Sequence, residues 1–465
     1  MSAAARSSLR GPMAGLAALI ALAAMAPKAG ALEIKRTTLS NGAVLLVSEE
    51  HQLPMVTLSI AFDAGARRDP EGKAGLAALT AHCLTQGTRD LSAPDFNQKV
   101  DFMGSSVSVD ANRDYASAGL TSLKKYEPET LHLLAAIVTE PGLRDADIER
   151  KRAEQVAGIK AEEERPAYPA VVKFTKSLFD GTPYGHPAEG YAESVAKLTS
   201  DDVRGFYRDH YKLGSAVIAV TGDVQADDVK ALLEKQLSGA HGAVASQTAP
   251  PAPSVAPGLH LNVIDRNVAQ ANVILGFGGI ERSNPDYYRL QVMNYILGGG
   301  GFSSRMVKVV RSKEGLAYSV GCGFSAGKFP GAFSVGLETK NSSANQAIKL
   351  VLEQIREIQE HPVSDEELDG AKKYLIGSFP LTIDHQGAIA GFMLNVELNG
   401  LGLDYADKFP KLIQAVTKED VQKVARTYLH PDSVLIVAVA NQREAAISTA
   451  ALEQPPAGAP SAPGH

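Results

Sequence analysis

The sequence is short of cysteine, of excess basic charge and of long apolar runs, and each shortage removes a class of protein. Its 465 residues include only two cysteines, Cys83 and Cys322. Thiols so far apart in sequence form no metal-binding pair, and both read as small buried residues, although an oxidising compartment would permit a bridge. The formal net charge is −6 with both signs mixed, which gives no footprint for nucleic acid. After residue 31 no run approaches the roughly 20 apolar residues that a membrane span requires, so none is expected.

What is present begins with an export signal. Arg6 and Arg10 precede the apolar run Met13–Ala26, and Ala29-Gly30-Ala31 supplies small residues for cleavage. This order of basic, apolar and small residues predicts a cleavable leader over 1–31 and a periplasmic or secreted protein. Loss of Arg6, Arg10 and Lys28 with that leader takes the formal charge from −6 to −9.

The mature chain repeats itself. "LTSDDVRGFYRDHYKLGSAVIAVTGD" (198–223) and "VTKEDVQKVARTYLHPDSVLIVAVAN" (416–441) align at an offset of 218 residues, with Thr199 on Thr417 and Asp202 on Asp420. Each copy predicts a helix capped by threonine and followed by a buried strand. Strand-like runs open both halves ("AVLLVSEE" and "VTLSIAFDAGA"; "LHLNVID" and "ANVILGFGGI"), and helical segments follow ("PETLHLLAAIVTE"; "NQAIKLVLEQIREIQEHP"). Such a long period indicates duplicated domains rather than a solenoid. The expected class is α+β, with two homologous domains, each a mostly antiparallel sheet packed with helices. The boundaries read as a leader (1–31), an N-terminal domain (32–240), a linker rich in Pro, Ala and Ser (241–257), a C-terminal domain (258–450) and a tail not expected to pack (451–465).

Two stretches carry the chemistry. The first is "GLAALTAHCLTQGT" (75–88), and the second is "YILGGGGFSSRMVKVVRSKEGLAYSV" (295–320). With the repeat and the leader, they resemble the insulinase/pitrilysin-like (inverzincin) peptidases, whose domains are paired duplicates forming half of a clam-shell. The family pattern is roughly G-L-A-H-x-x-E-H-x-L-x-x-G-T, and Gly75, Leu76, Ala77, Leu84, Gly87 and Thr88 match it. Two histidines at i and i+4 lie on one helix face and reach zinc, with the intervening glutamate as base. Here Ala78 replaces the first histidine, Ala81 replaces the glutamate, and only His82 remains. The third ligand, a glutamate on a later helix, falls on Gly158. One imidazole cannot hold a catalytic zinc, which takes three protein ligands. The nearby run Glu162, Glu163 and Glu164 reads as a solvated helix end, and His82 as a partly buried remnant. No metal is therefore expected in this chain, which should be inactive alone.

The second stretch is intact. The resemblance implies that Arg311 and Tyr318, seven residues apart, face the zinc from the opposite domain and hold substrate. A planar guanidinium can fix a peptide carbonyl, and a phenol can donate to a developing oxyanion. Read alone, Tyr318 is half-buried strand filler after a helix that Gly315 ends; the glycine run, the spacing and the repeat reverse that reading. The run Gly298, Gly299, Gly300 and Gly301 is no phosphate loop, because no lysine follows at the required position. It reads as a flexible loop in which backbone approaches substrate. In the first domain, "MGSSVSVDANRD" (103–114) reads as an edge strand for substrate pairing, with Ser108 at the family's usual asparagine.

Losses thus gather in the first half and retention in the second. The resemblance implies a zinc-free subunit that supplies Arg311 and Tyr318 to a zinc-bearing paralogue, with unfolded peptide as substrate. A homodimer and a non-catalytic peptide-binding or scaffold protein remain alternatives at this point. A peptidase with unusual ligands is disfavoured by the missing zinc set.

Overall fold

A computed structural model describes residues 32–237 and 242–453 of the chain. The expected leader, residues 238–241 and tail residues 454–465 lie outside the described residues.

Two sheets carry the fold. The first holds β1 (Lys35–Thr38), β2 (Val44–Glu49), β3 (Met55–Phe62), β4 (Ser106–Ala111), β5 (Ala116–Leu123) and β6 (Val217–Gly222), in the order β1-β2-β6-β3-β5-β4. The second holds β7 (Gly258–Asp265), β8 (Gln270–Gly278), β9 (Ala317–Ser325), β10 (Ala332–Lys340) and β11 (Ser433–Ala440), in the order β7-β11-β8-β10-β9. The pairs β2–β6 and β7–β11 are parallel, and all other neighbours are antiparallel. Without β1 the two arrangements are the same. The chain is α+β, with two domains of one topology, as the repeat predicted.

The repeated caps form as their chemistry requires. Thr199 Oγ1 accepts from the Asp202 amide at 3.2 Å while Asp202 accepts from the Thr199 amide at 2.9 Å. Thr417 and Asp420 repeat the exchange at 3.1 Å in each direction. Each box satisfies donors at a helix start that would otherwise be unpaired. The strands that follow, β6 and β11, are buried along nearly their whole length, which is why they read as continuous apolar runs.

One feature was not visible in the repeat: the halves exchange a helix. The helix Ala167–Leu178 of the first half packs on β8 and β11 of the second, and Gln386–Leu398 of the second packs on β3 and β6 of the first. Ala170, Phe174 and Leu178 recur every four residues and make one apolar stripe. That stripe meets Leu435, Val437 and Val439, the alternate residues of β11 that share a face. On the other side, Gln386 donates to the Met55 carbonyl at 3.3 Å, and Arg36 on β1 forks onto Glu397 at 2.8 and 3.0 Å. The two domains therefore form one compact unit from Ile34 onward.

The described part of the linker is tied down although it has no regular structure. Gln247 accepts from Arg67 at 2.6 Å and donates back to its carbonyl at 3.1 Å, and the Val244 amide donates to Ser215 Oγ at 2.8 Å. At the other end of the fold, Thr449–Glu453 form a short helix that buries Leu452, so the expected tail begins with an ordered turn. Both cysteines are free thiols. Among the described residues no helix is long and apolar enough to cross a membrane.

The helix exchange makes a stability prediction. Phe174→Ala leaves a void against β11 and should cost roughly 3–5 kcal/mol. Urea denaturation followed by far-UV circular dichroism should show one transition shifted as a whole, because neither sheet is covered without the other half's helix.

Candidate functional site

The degenerate zinc helix is Leu76–Leu84. Its start is held by Asp69, whose carboxylate accepts from the amides of Gly75 and Ala77 at 2.7 Å each. Gly75 stands at φ 95°, and a Cβ there would meet the Glu189 carbonyl oxygen at 2.5 Å, so only glycine fits. Burial pushes the Asp69 carboxyl up to about 7, against the pull of the Ala77 and Gly75 amides. His186 Nδ1 lies 4.0 Å away, and burial holds its imidazole below the ordinary histidine range.

The helix itself is packed. Ala78 and Ala81 have no exposed surface, and Ala81 belongs to the main apolar core of the first half. The positions that would carry a ligand and a base are thus occupied by tight apolar packing. His82 is half-buried; its carbonyl accepts from Thr85 and Gln86 at 3.1 and 3.2 Å, and its ring has no hydrogen-bond partner among the described residues. Gly158 is exposed on the helix Asp145–Glu163, with open space where a side chain would stand. Gln155, one turn earlier, braces the two helices by donating to the carbonyls of Gly75 and Glu189 at 3.1 and 2.9 Å. Glu163 and Glu164 are exposed and Glu162 partly so, with Arg165 3.3 Å from Glu162, a solvated helix end as read. No group of three or more His, Cys, Asp or Glu among the described residues is placed to hold a metal ion. The residues present do not fit a zinc ion.

The second stretch presents its side chains outward. After the wide-turned helix Val307–Lys313, Gly315 turns at φ 63° and β9 begins at Ala317. β9 is an edge strand of its sheet. Ala317 pairs with Thr339 and Ser319 with Glu338, so Tyr318 is the extra residue of a β-bulge. A bulge re-aims the side chain that it adds. Tyr318 accordingly stands 69% exposed, not half-buried in a strand face. The Arg311 guanidinium lies between two exposed rings, 4.9 Å from the centre of Phe302 and 5.8 Å from that of Tyr318. It has no carboxylate partner among the described residues. Cation–π contact with solvated rings is weak, so the donors stay free for an external acceptor.

Phe302 was missed in the sequence although it directly follows the glycines; its 71% exposure marks it only in three dimensions. The glycine run differs from the flexible loop that was expected. Tyr295–Gly299 is a wide helical turn, and Gly298 is buried against β9, where a Cβ would lie 2.6 Å from Cys322 Sγ. A Cβ on Gly299 would lie 2.6 Å from the Asn294 side-chain Nδ2, and one on Gly300 2.6 Å from the Tyr295 carbonyl oxygen, whereas Gly301 turns at φ 55° in open space. The close approach that these glycines allow is to the protein's own side chains and backbone. Just beyond, Arg305 forks onto Glu367 at 2.7 and 2.8 Å, which holds that carboxyl down to about 2 and fixes the segment carrying Phe302. In the first half, Ser108 is exposed on β4, an edge strand of its own sheet.

Comparison with known proteins adds the lineage. Residues 44–189 match the family description "Insulinase (Peptidase family M16)", and residues 197–375 match "Peptidase M16 inactive domain". The chain is 27% identical over 401 residues to "Non-peptidase homolog YmxG" of Helicobacter pylori, covering 86% of this chain and 92% of that protein. It is 29% identical over 403 residues to an uncharacterized zinc protease of Streptomyces coelicolor, covering 85% and 87% respectively. Its fold superposes with a TM-score of 0.81 and 29% identity on a peptidase M16 inactive domain from Pseudomonas fluorescens, covering 88% of this chain and 98% of that one.

Two predictions follow from the packing. Ala81→Glu places an unpaired carboxylate in the core and should cost roughly 2 kcal/mol or more in urea denaturation, whereas His82→Ala should cost less than about 1 kcal/mol. Asp69 titrates near 7 when folded and near 4 when unfolded, so its stabilising contribution is complete below about pH 4 and lost as pH rises through about 7. The stability of the parent chain relative to Asp69→Asn should fall between pH 5 and pH 8 by on the order of 2 kcal/mol, read from paired denaturation curves.

Proposed function

The chain belongs to the insulinase (M16) peptidase family, and from that premise we propose that it is the zinc-free subunit of an exported heterodimeric zinc peptidase. Arg311 and Tyr318 complete the active site of a zinc-bearing paralogue, and unfolded peptide is the substrate. The observation that carries this reading is the contrast between the two stretches. A ligand position and the base position are sealed into the core as Ala78 and Ala81, while Arg311 and Tyr318 stand exposed beside the edge strand β9, with no carboxylate paired to Arg311 among the described residues.

The chemistry divides accordingly. Activation of water belongs to the zinc-bearing partner. The Arg311 guanidinium offers a planar fork to a peptide carbonyl or a carboxylate, and the phenol O–H of Tyr318 donates to charge developing on the scissile carbonyl oxygen. Phe302, 4.9 Å from the guanidinium, offers an aromatic surface beside it for a substrate side chain. Donors fixed before the reaction stabilise the transition state most.

The experiment pairs the mature chain with an exported paralogue carrying an intact H-x-x-E-H and assays cleavage of unfolded peptides. Arg311→Ala and Tyr318→Phe should each lower kcat/KM of the pair by roughly 10²-fold while co-elution on size exclusion is unchanged. Full activity of the pair carrying both substitutions sinks the proposal, as does zinc-dependent cleavage by this chain alone. Peptide binding without any effect on a peptidase would favour a scaffold role instead.

A further inference from the structure

A second site lies about 25 Å along β9 from Tyr318, where the two halves meet. There the β9–β10 turn, the end of β3 and the exchanged helix Gln386–Leu398 line an open cleft of about 700 Å³. That is the size of a small-molecule site. Its walls include the rings of Phe62, Tyr115, Phe379 and Phe392.

Arg282 lines this cavity and is 7% exposed. Its guanidinium lies 3.7 Å from the ring centre of Tyr287, and its one hydrogen bond among the described residues goes to the Tyr405 hydroxyl at 3.0 Å. No carboxylate pairs with it among the described residues. The acids that share the cavity are committed elsewhere: Asp63 to Arg67 and Arg68, Asp114 to the Tyr184 hydroxyl and the Lys328 amide. A buried charge is ordinarily paired, because desolvation without a counter-charge is expensive. Aromatic faces compensate only part of that cost. Gln291 borders the same cavity, and its Oε1 is buried without a hydrogen-bond partner.

We propose that this cavity binds a small organic carboxylate with an aromatic or apolar body, its carboxylate forked by Arg282. The guanidinium supplies the planar pair of donors and the rings take the body. The site is separate from Arg311 and Tyr318 and does not depend on their role.

Hippurate, which joins a carboxylate to an amide and a phenyl ring, is a suitable probe. Titration calorimetry on the full mature chain should detect hippurate binding, and hippuramide, lacking the charge, should bind at least roughly tenfold more weakly. Arg282→Gln should weaken hippurate binding by a similar factor. Should that variant fail to fold, Arg282→Lys retains the charge without the fork and should also weaken binding. The proposal is overturned if the parent chain binds no hippurate at millimolar concentration, if hippuramide binds as well, or if the foldable Arg282 variant binds unchanged. Inorganic phosphate binding as tightly as hippurate would likewise overturn the assignment to an organic carboxylate.

Discussion

The reciprocal helix exchange is the contact on which the rest of this structure depends. A sheet with two apolar faces must cover both, and each sheet here covers one face with a helix borrowed from the other half. Phe174 lies over Val437 and Val439 in one direction, and Gln386 reaches the β3 backbone in the other. Neither half is complete alone, so the two domains hold one relative placement. That placement forms the cleft around Arg282 at the junction of the halves.

Within that frame the halves have diverged in opposite senses. In the first, the helix that would hold zinc keeps its geometry and its cap by Asp69 but has alanines where ligand and base would stand. Small side chains let the helix seat tightly, and that packing now opposes the return of charged residues. In the second, the Arg305–Glu367 pair, the buried Gly298 and the bulge at Tyr318 all fix a segment whose own functional groups face solvent. An ordered segment that exposes an arginine and two aromatic rings is unusual for a surface with no role, since large apolar side chains gain nothing from exposure.

Much of this was legible in one dimension. The 218-residue offset announced the duplication because caps and buried strands have strict local requirements: a threonine oxygen three residues before an acidic side chain, then an unbroken apolar run. The missing zinc ligands were legible through the family resemblance, whose motif sets histidines at i and i+4 on one helix face. Gly315 as a helix terminator could be read because a left-handed residue nearly demands glycine. Less legible were the glycines at 298–301. The same residue type permits both a mobile loop and close packing, and only the Cys322 sulfur beside Gly298 decides between them.

By itself, then, the sequence determined the class, the duplication, the loss of the zinc set and the survival of Arg311 and Tyr318, because each depends on residue type at short spacing. Tertiary structure alone decided that the halves exchange helices, that Tyr318 turns outward, that Phe302 flanks Arg311 and that Arg282 is buried without an acid. Those four depend on contacts between segments tens to hundreds of residues apart. No local periodicity records which apolar stripe meets which sheet, or whether a charge buried by that meeting finds a partner.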